Sequence, residues 1–541
     1  MNPMIARLPS LVALVLVTSA IHLHAQEDKT RIRVKMGMEG DGDARMFPVS
    51  LVKPAPNSIL MHRDDRRGPD ASKATGGRLD LYDRAKLGFL RTQPVVEKFT
   101  NGAKVDVEGV VVFGGRTLVI ARNGGAASTA LHVQILEPSI TKMPAPYEPL
   151  CSWSVPFRTN AAPTERPGSF AFHFSPDSAF LLLRSPVLQN AQGQGMVLLA
   201  VLSKDLSVSW QSVVPAPEKM VRTDVLDAMV DVQGRAYLVL RNRANRSDVF
   251  EEKPTIAVTC LRVHGDTVVD LKVAMPKEVF VTQALLRATS KETIVLAGVY
   301  GKVEGQGIVA VGDFLVPMTV GNVEVPVPQM MLYPKEGSLV NEGEPPAVPG
   351  QKFVEKDIER IETGVRLLDL LPRKGGGYYL VKELFFLENY FDLKDKRTKT
   401  RYIHGPVQAS ALDKNGAVQW NTLFKRWYQS DSPMFGDVLC GEYMDQLFLF
   451  LQDTEQMAAL RKAGGKITTG LNDGPYTAYV TFDPQGAYKI KPVLKSDNES
   501  GYVCGQRLIR LGKDEYYTFG AEKPTGGRFL PVRIDMAQDA K

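Results

Sequence analysis

The chain has 541 residues, 44% hydrophobic and 23% charged, a composition that excludes global disorder and supplies enough apolar material for a large core. A formal net charge of +6 is too small an excess over this length to imply nucleic acid or an anionic membrane as a partner. The length exceeds that of a usual single domain, so the chain is either several domains or one large repetitive one.

Residues 1–25 read as a secretory signal peptide. Arg7 closes a short positive region, Leu11 to Val17 is apolar, and Ser19, Ala20 and Ala25 precede the polar Gln26-Glu27-Asp28. The apolar run is too short for a membrane span, and no later stretch approaches the roughly 18 apolar residues that one needs. The expected location is therefore secreted or periplasmic. The first cysteine is Cys151, which excludes a lipoprotein anchor directly after the leader. Arg31 to Met38 follows as an isolated β-like run. The alternating carboxylates of Glu39-Gly40-Asp41-Gly42-Asp43 lack the later acidic positions of a Ca²⁺ loop and read as a solvated turn.

From there on the chain repeats itself. A strand, a polar turn and a second strand recur as Ala411 to Trp420 and around Phe482 to Tyr488, with an aromatic after the turn, and more loosely as Leu79 to Leu90, Val201 to Trp210 and Leu261 to Leu271. Gly or Asn supplies the positive φ of the turn in copies such as Asp413 to Gly416 and Asp483 to Gly486, and apolar residues alternate on either side of it. A different hairpin precedes this one each time, turning at Gly114-Gly115, Gln233-Gly234, Lys291-Glu292 and Lys513-Asp514. Two alternating hairpins make a four-stranded antiparallel unit. Second strands fall near Ile59, Leu118, Leu182, Leu238, Val295, Tyr379, Phe448 and Tyr517. The fold expected is an all-β propeller of eight blades, with seven as the alternative, over a single domain at 26–541. The last unit lacks its outer strand, so the N-terminal strand is expected to close the ring and remove both exposed edges.

The element Leu412 to Trp420 (LDKNGAVQW) resembles the repeat of the PQQ-like propeller superfamily, which includes quinoprotein dehydrogenases and outer-membrane assembly scaffold proteins. Partial matches end at Trp210, Trp153 and Phe89. The resemblance implies the fold. Quinone-binding members often carry adjacent cysteines, whereas Cys151, Cys260, Cys440 and Cys504 are all apart, so no cofactor is predicted. Cys440 and Cys504 each precede Gly at the same point of a repeat, which places them on inner strands of adjacent blades. They are either small buried residues or a pair joined in an oxidising compartment.

Chemistry-bearing motifs are sparse. His62, His132, His173, His264 and His404 lie in different repeats without metal-ligand spacing, so no metal site and no catalytic residue are assigned. Gly375-Gly376-Gly377 and Gly114-Gly115 are hairpin turns rather than phosphate cradles, since no Lys-Ser/Thr follows them. What stands out is loop length. Strands alternate in direction, so every connection between strands two and three, and every link between blades, leaves from one face of the ring. Long loops are expected there at 63–77, 242–253, 334–362, 387–400 and 453–474, the last with a short helix around Met457 to Leu460 capped by Asp453. Within 387–400 and just beyond it, Tyr390, Phe391, Lys394, Arg397 and Arg401 combine aromatic and basic side chains and are the candidate binding residues. The function expected is a non-catalytic binding or scaffold module for a protein, glycan or envelope component. The alternative is a secreted propeller enzyme, a hydrolase, lyase or quinoprotein-like oxidoreductase, with its site in the central channel.

Overall fold

The computed structural model describes residues 30–37, 46–64, 76–124, 128–142, 144–157, 170–190, 192–216, 222–243, 256–304, 307–334, 339–342, 359–393, 395–432, 435–464, 475–494, 501–523 and 526–538. The expected leader at 1–25 and the Glu39–Asp43 segment lie outside them. The strands described form eight antiparallel sheets, one for each repeat. Blades 1 to 7 run in chain order over 47–94, 106–153, 171–215, 222–271, 280–332, 359–430 and 439–493, and blade 8 takes 502–538. Each second strand expected from the sequence is the second strand of a blade. The fold is a β-propeller.

Ring closure follows the expected plan. Thr30–Met36 pairs antiparallel with Gly526–Gln538, from Thr30 opposite Gln538 to Met36 opposite Val532, and becomes the outer strand of blade 8. At the seam with blade 1, Leu51, Ile59, Met61, Tyr82 and Leu87 pack with Tyr517. The Glu515 carboxylate accepts a hydrogen bond from Arg84 Nε at 3.0 Å and pairs with Arg533 at 3.2 Å. Comparable apolar layers fill the other interfaces, because both faces of a blade must be covered by its neighbours. Between blades 6 and 7 the layer includes Val381, Val407, Ala409, Phe424, Leu449, Ala478 and Val480.

The turn-plus-aromatic repeat has a physical cause. Asp413 Oδ1 accepts the backbone N–H groups of Asn415 and Ala417, both at 2.8 Å, while Gly416 takes φ +83°. Asp483 does the same for Gln485 and Ala487, with Gly486 at φ +86°. These are equivalent turns between the outer strands of blades 6 and 7. Trp420, after the first turn, stacks on Phe482 of the next blade with centroids 5.7 Å apart. A Cβ at Gly486 would come within 2.9 Å of the Trp420 ring, so the glycine is needed for backbone freedom and for space. Trp210 of blade 3 repeats the theme by donating Nε1 to the Gly234 carbonyl of blade 4 at 2.8 Å. The aromatic in each case clamps its blade to a turn of the following one.

Cys440 and Cys504 lie on the innermost strands Leu439–Tyr443 and Tyr502–Gly512 of adjacent blades, and all four cysteines are free thiols. Burial pushes the Cys151 and Cys260 thiols up to about 12, and raises those of Cys440 and Cys504 as well. All four therefore stay protonated and unreactive at neutral pH.

Candidate functional site

Blades 5 and 6 differ from the rest in the reach of their central hairpins. Second strands of blades 2, 7 and 8 have nine residues, whereas those of blades 5 and 6 have 12 (Thr293–Glu304) and 15 (Tyr378–Asp392). Six extra residues at about 3.3 Å each carry the blade-6 hairpin roughly 20 Å beyond the nine-residue strands. The segment 387–400, expected as a loop, is thus strand to Asp392 and again from Arg397, with pairing intact up to Asp392 opposite Arg397. Interleaved charges hide the alternation in the sequence, but Tyr390, Phe391, Thr398 and Thr400 are good strand formers on both arms.

The base of this projection has its own core. Val299 of blade 5, Leu339 of the link to blade 6, Val365, Leu384, Phe386, Ile403 and Trp427 of blade 6, and Met457 of blade 7 bury one another. Met457 sits on the helix Glu455–Lys462 inserted between strands two and three of blade 7. Thr454 caps the helix, its Oγ accepting the Met457 N–H at 3.1 Å. Asp453, the expected cap, is instead the last strand residue but one. It pairs with Arg461 at 3.1 Å and accepts from the Tyr476 hydroxyl at 2.7 Å. The strand runs on through Thr454, so the hydroxyl and not the carboxylate meets the free N–H groups of the first turn. Arg461 also donates to the Lys425 carbonyl at 2.9 Å and lies 4.5 Å over the Phe424 ring, fastening the blade-7 helix to blade 6. Lys425 in turn pairs with Glu342 of the link at 3.0 Å. Described parts of the segments 334–362 and 453–474 therefore meet at the base of the blade-6 hairpin whose outer end is 387–400, all on one face. The described ends of 63–77 and 242–253 leave blades 1 and 4 between strands two and three.

An ionic layer lies beneath. Glu383 is fully buried and shared by two guanidiniums, Arg366 Nε at 2.8 Å and Arg426 at 3.1 Å. Arg426, also fully buried, donates to the carbonyls of Gly405 (3.3 Å), Gln452 (3.0 Å) and Gly436 (2.7 Å), so it rivets blade 6 to blade 7 and to the link between them. Arg366 also pairs with Asp437 at 2.5 Å and lies 4.1 Å over Phe385. His404 Nδ1 is 3.4 Å from Glu383 and 3.9 Å from Asp437. Burial by itself pushes the Glu383 carboxyl up, but Arg366, His404 and Arg426 outweigh it and hold it well below the usual carboxylate range. Glu383, His404 and Asp437 bring ligand-type atoms within 4.8 Å of one another. A divalent ion there would face two guanidiniums already bound to its carboxylates, so the arrangement is an ion-pair network rather than a metal pocket. Between blades 5 and 6, the buried Lys382 pairs with Asp313 and sits 4.0 Å over the Tyr333 ring, whose hydroxyl donates to Asp313 at 2.7 Å.

The five candidate residues divide by this geometry. Tyr390 is buried 5.4 Å from the Arg401 guanidinium, and Arg401 donates Nε to the buried Glu388 at 2.7 Å. Both side chains stiffen the hairpin. Phe391, 39% exposed, and Arg397, whose side chain is 71% exposed, stand at the tip. Lys394 lies outside the described residues. Beside them, Leu393 is 49% exposed, and on the blade-5 hairpin so are Val303 (41%) and Val309 (38%), none of which sequence reasoning singled out. Exposed apolar residues next to hairpin turns were the available signal.

Along the channel, inner strands of blades 4, 5 and 6 are joined by Arg287, which pairs with Asp227 at 2.8 Å and Asp369 at 2.7 Å. The Leu286 N–H donates to Asp227 at 2.9 Å and that of Leu370 to Asp369 at 2.9 Å. The histidines remain dispersed, His132 against Phe99 and His264 edge-on to Trp210.

No protein-family model matches the chain, and no curated protein does. Solved structures that resemble it include the WD40 domain of SCAP from fission yeast, at 8% identity over 94% of this chain and 95% of that one, with a TM-score of 0.34. The β-propeller domain of the Trilobed protease from Pyrococcus furiosus shows 7% identity over 71% and 95%, TM-score 0.30. The α-L-arabinanase of Penicillium chrysogenum complexed with arabinobiose shows 11% over 70% and 97%, TM-score 0.29. The likeness is one of fold and extends to no activity.

Proposed function

We propose that the protein is an exported, non-catalytic β-propeller that presents the face over blades 5 to 7 to a protein, glycan or envelope component. The observation that carries this reading is the convergence of the blade-5 and blade-6 hairpins, the 5-to-6 link and the blade-7 helix on one buried core, with Phe391, Leu393 and Arg397 left exposed above it. Loops and hairpins this long are uncommon in compact domains unless they serve binding. Here a dedicated core stiffens them, which lowers the entropic cost of binding. The leader-like residues 1–25 support export. The Asp-turn and Trp420 clamp support kinship with PQQ-like repeats, and the non-catalytic scaffolds of that group fit a chain whose inner-strand carboxylates Asp227 and Asp369 are tied to Arg287 and to backbone N–H groups.

The test is affinity capture from envelope extracts with the intact protein and a Phe391→Ala/Leu393→Ala/Arg397→Ala variant. The variant is expected to keep the wild-type melting temperature and to lose most of the captured material. Equal capture by both would move binding to the channel or to the opposite face and favour the enzyme.

A further inference from the structure

We infer that the hairpin tips of blades 5 and 6 dock the protein onto an anionic lipid surface, Phe391 and Leu393 entering the interfacial region while Lys396 and Arg397 meet the headgroups; the inference rests on the binding-face reading above. Four observations carry it. First, both hairpins leave the ring from the same face, and the blade-6 arm stands roughly 20 Å beyond most strand ends, so its tip reaches a flat surface before the disc does. Second, the exposed apolar residues sit at the extremes of these arms: Val303 and Val309 on one, Phe391 and Leu393 on the other. They form two small projections, not a groove that a folded protein would fill.

Third, charge supports an anionic surface. Between Phe391 and Arg401 the sequence has five basic and two acidic residues. Lys399 is held by Asp392 at 2.6 Å and Asp395 at 2.5 Å, and Arg401 by the buried Glu388 at 2.6 Å. Lys396 remains exposed, and Arg397 is 3.9 Å from the Asp395 carboxylate with most of its side chain in solvent; on the blade-5 arm the exposed Lys302 is balanced by the exposed Glu304, so the positive charge belongs to the blade-6 tip. Such local basic groups act within about one Debye length of a surface, so the modest net charge of the whole chain does not oppose them. Fourth, Asp392 and Asp395 of the blade-6 tip are paired with Lys399, which leaves Phe391, Leu393, Lys396 and Arg397 as the exposed apolar and positive residues of that tip. Aromatic and aliphatic side chains collared by Lys and Arg suit the boundary between acyl chains and headgroups. An acidic soluble partner would satisfy the charges but leave Phe391 and Leu393 without an apolar counterpart.

The experiment is flotation of the full chain with vesicles of phosphatidylcholine alone or with 30% phosphatidylglycerol at moderate salt, with soluble polyglutamate as competitor. Wild type is expected to float with anionic vesicles and not with neutral ones. Phe391→Ser/Leu393→Ser should lower the partition coefficient by about tenfold or more, and Lys396→Glu/Arg397→Glu by about fivefold or more per charge, each with unchanged melting temperature. Absence of wild-type flotation overturns the inference, as does binding indifferent to Phe391→Ser/Leu393→Ser or abolished by polyglutamate. If flotation fails while capture from extracts still depends on the tip, a protein or glycan is the partner and the binding-face reading survives. If both fail, that reading falls too.

Discussion

The two faces of the disc are built from the same eight blades under opposite constraints. On one, turns such as Asp413 to Gly416 and Asp483 to Gly486 are as short as two strands permit; the second is clamped by Trp420 of the preceding blade, and the first lies against Leu315 and Gln329 of blade 5. On the other, the blade-5 and blade-6 hairpins, the 5-to-6 link and the blade-7 helix extend outward and need a separate core around Val299, Phe386, Trp427 and Met457. The difference teaches where the fold ends and where an added device begins. The short-turn face serves ring closure, while the long face carries a second packed layer whose tip leaves Phe391, Leu393 and Arg397 exposed.

That contrast can be broken from its foundation outward. The largest effect is expected from Glu383→Gln, which leaves the buried Arg426 guanidinium without a carboxylate beside it and removes one of the two partners of Arg366, and should cost about 3–5 kcal/mol in urea unfolding. A linked pH dependence follows. The folded carboxyl of Glu383 titrates below its unfolded value, so its contribution is fully present above the usual carboxylate range and is lost as pH falls through and below it. Glu515 at the ring seam shifts in the same direction through its contacts with Arg84, Tyr517 and Arg533, although its burial opposes them. Urea midpoints should therefore fall steeply between pH 5 and 3 (about the range set by unfolded carboxyls), and less steeply in Glu383→Gln.

Met457→Ala should cost about 2 kcal/mol or more, felt in the second layer rather than in the ring. Hydrogen exchange is expected to speed up in 455–462 and in the outer halves of Tyr378–Asp392 and Arg397–Leu412, with blades 1 to 3 unchanged. Uniform acceleration would show that the layer is not separable from the ring. On the short-turn face, Met444 and Asp445 take φ +53° and +62° in the first hairpin of blade 7, and Met444 is 55% exposed. A left-handed backbone is costly for methionine, so Met444→Gly should raise stability by about 1 kcal/mol, read as a higher melting temperature. The smallest effect is that of Phe391→Ala/Leu393→Ala/Arg397→Ala, within about 0.5 kcal/mol of wild type because these residues stand exposed at the hairpin tip, outside the buried core at its base.

The repeat, the blade order and the closing strand were legible because turn chemistry and apolar alternation recur in Leu412 to Trp420 and its copies, and because Arg31 to Met38 had no other partner. Strand parity made the common face of the long segments legible as well. The blade-6 hairpin was not, since Lys394 to Arg401 reads as solvated charge when the pairing of Lys399 with Asp392 and of Arg401 with Glu388 is unseen. The blade-5 hairpin was hidden by Gly301, Gly305 and Gly307, which punctuate it like a turn. The ionic layer was the least legible of all. Arg366, Glu383, His404, Arg426 and Asp437 come from five separate stretches with no motif spacing, and only three-dimensional packing brings them together.

A photo-crosslinking residue placed at Phe391, at Arg397 or, on the opposite face, at Asn415 or Gln485 tests the assignment of the binding face most directly, by ultraviolet irradiation of cells producing each variant. Strong adducts from 391 and 397, to lipid or to protein, with none from 415 and 485, are the predicted result. Adducts from the short turns with none from the hairpin tip would contradict it.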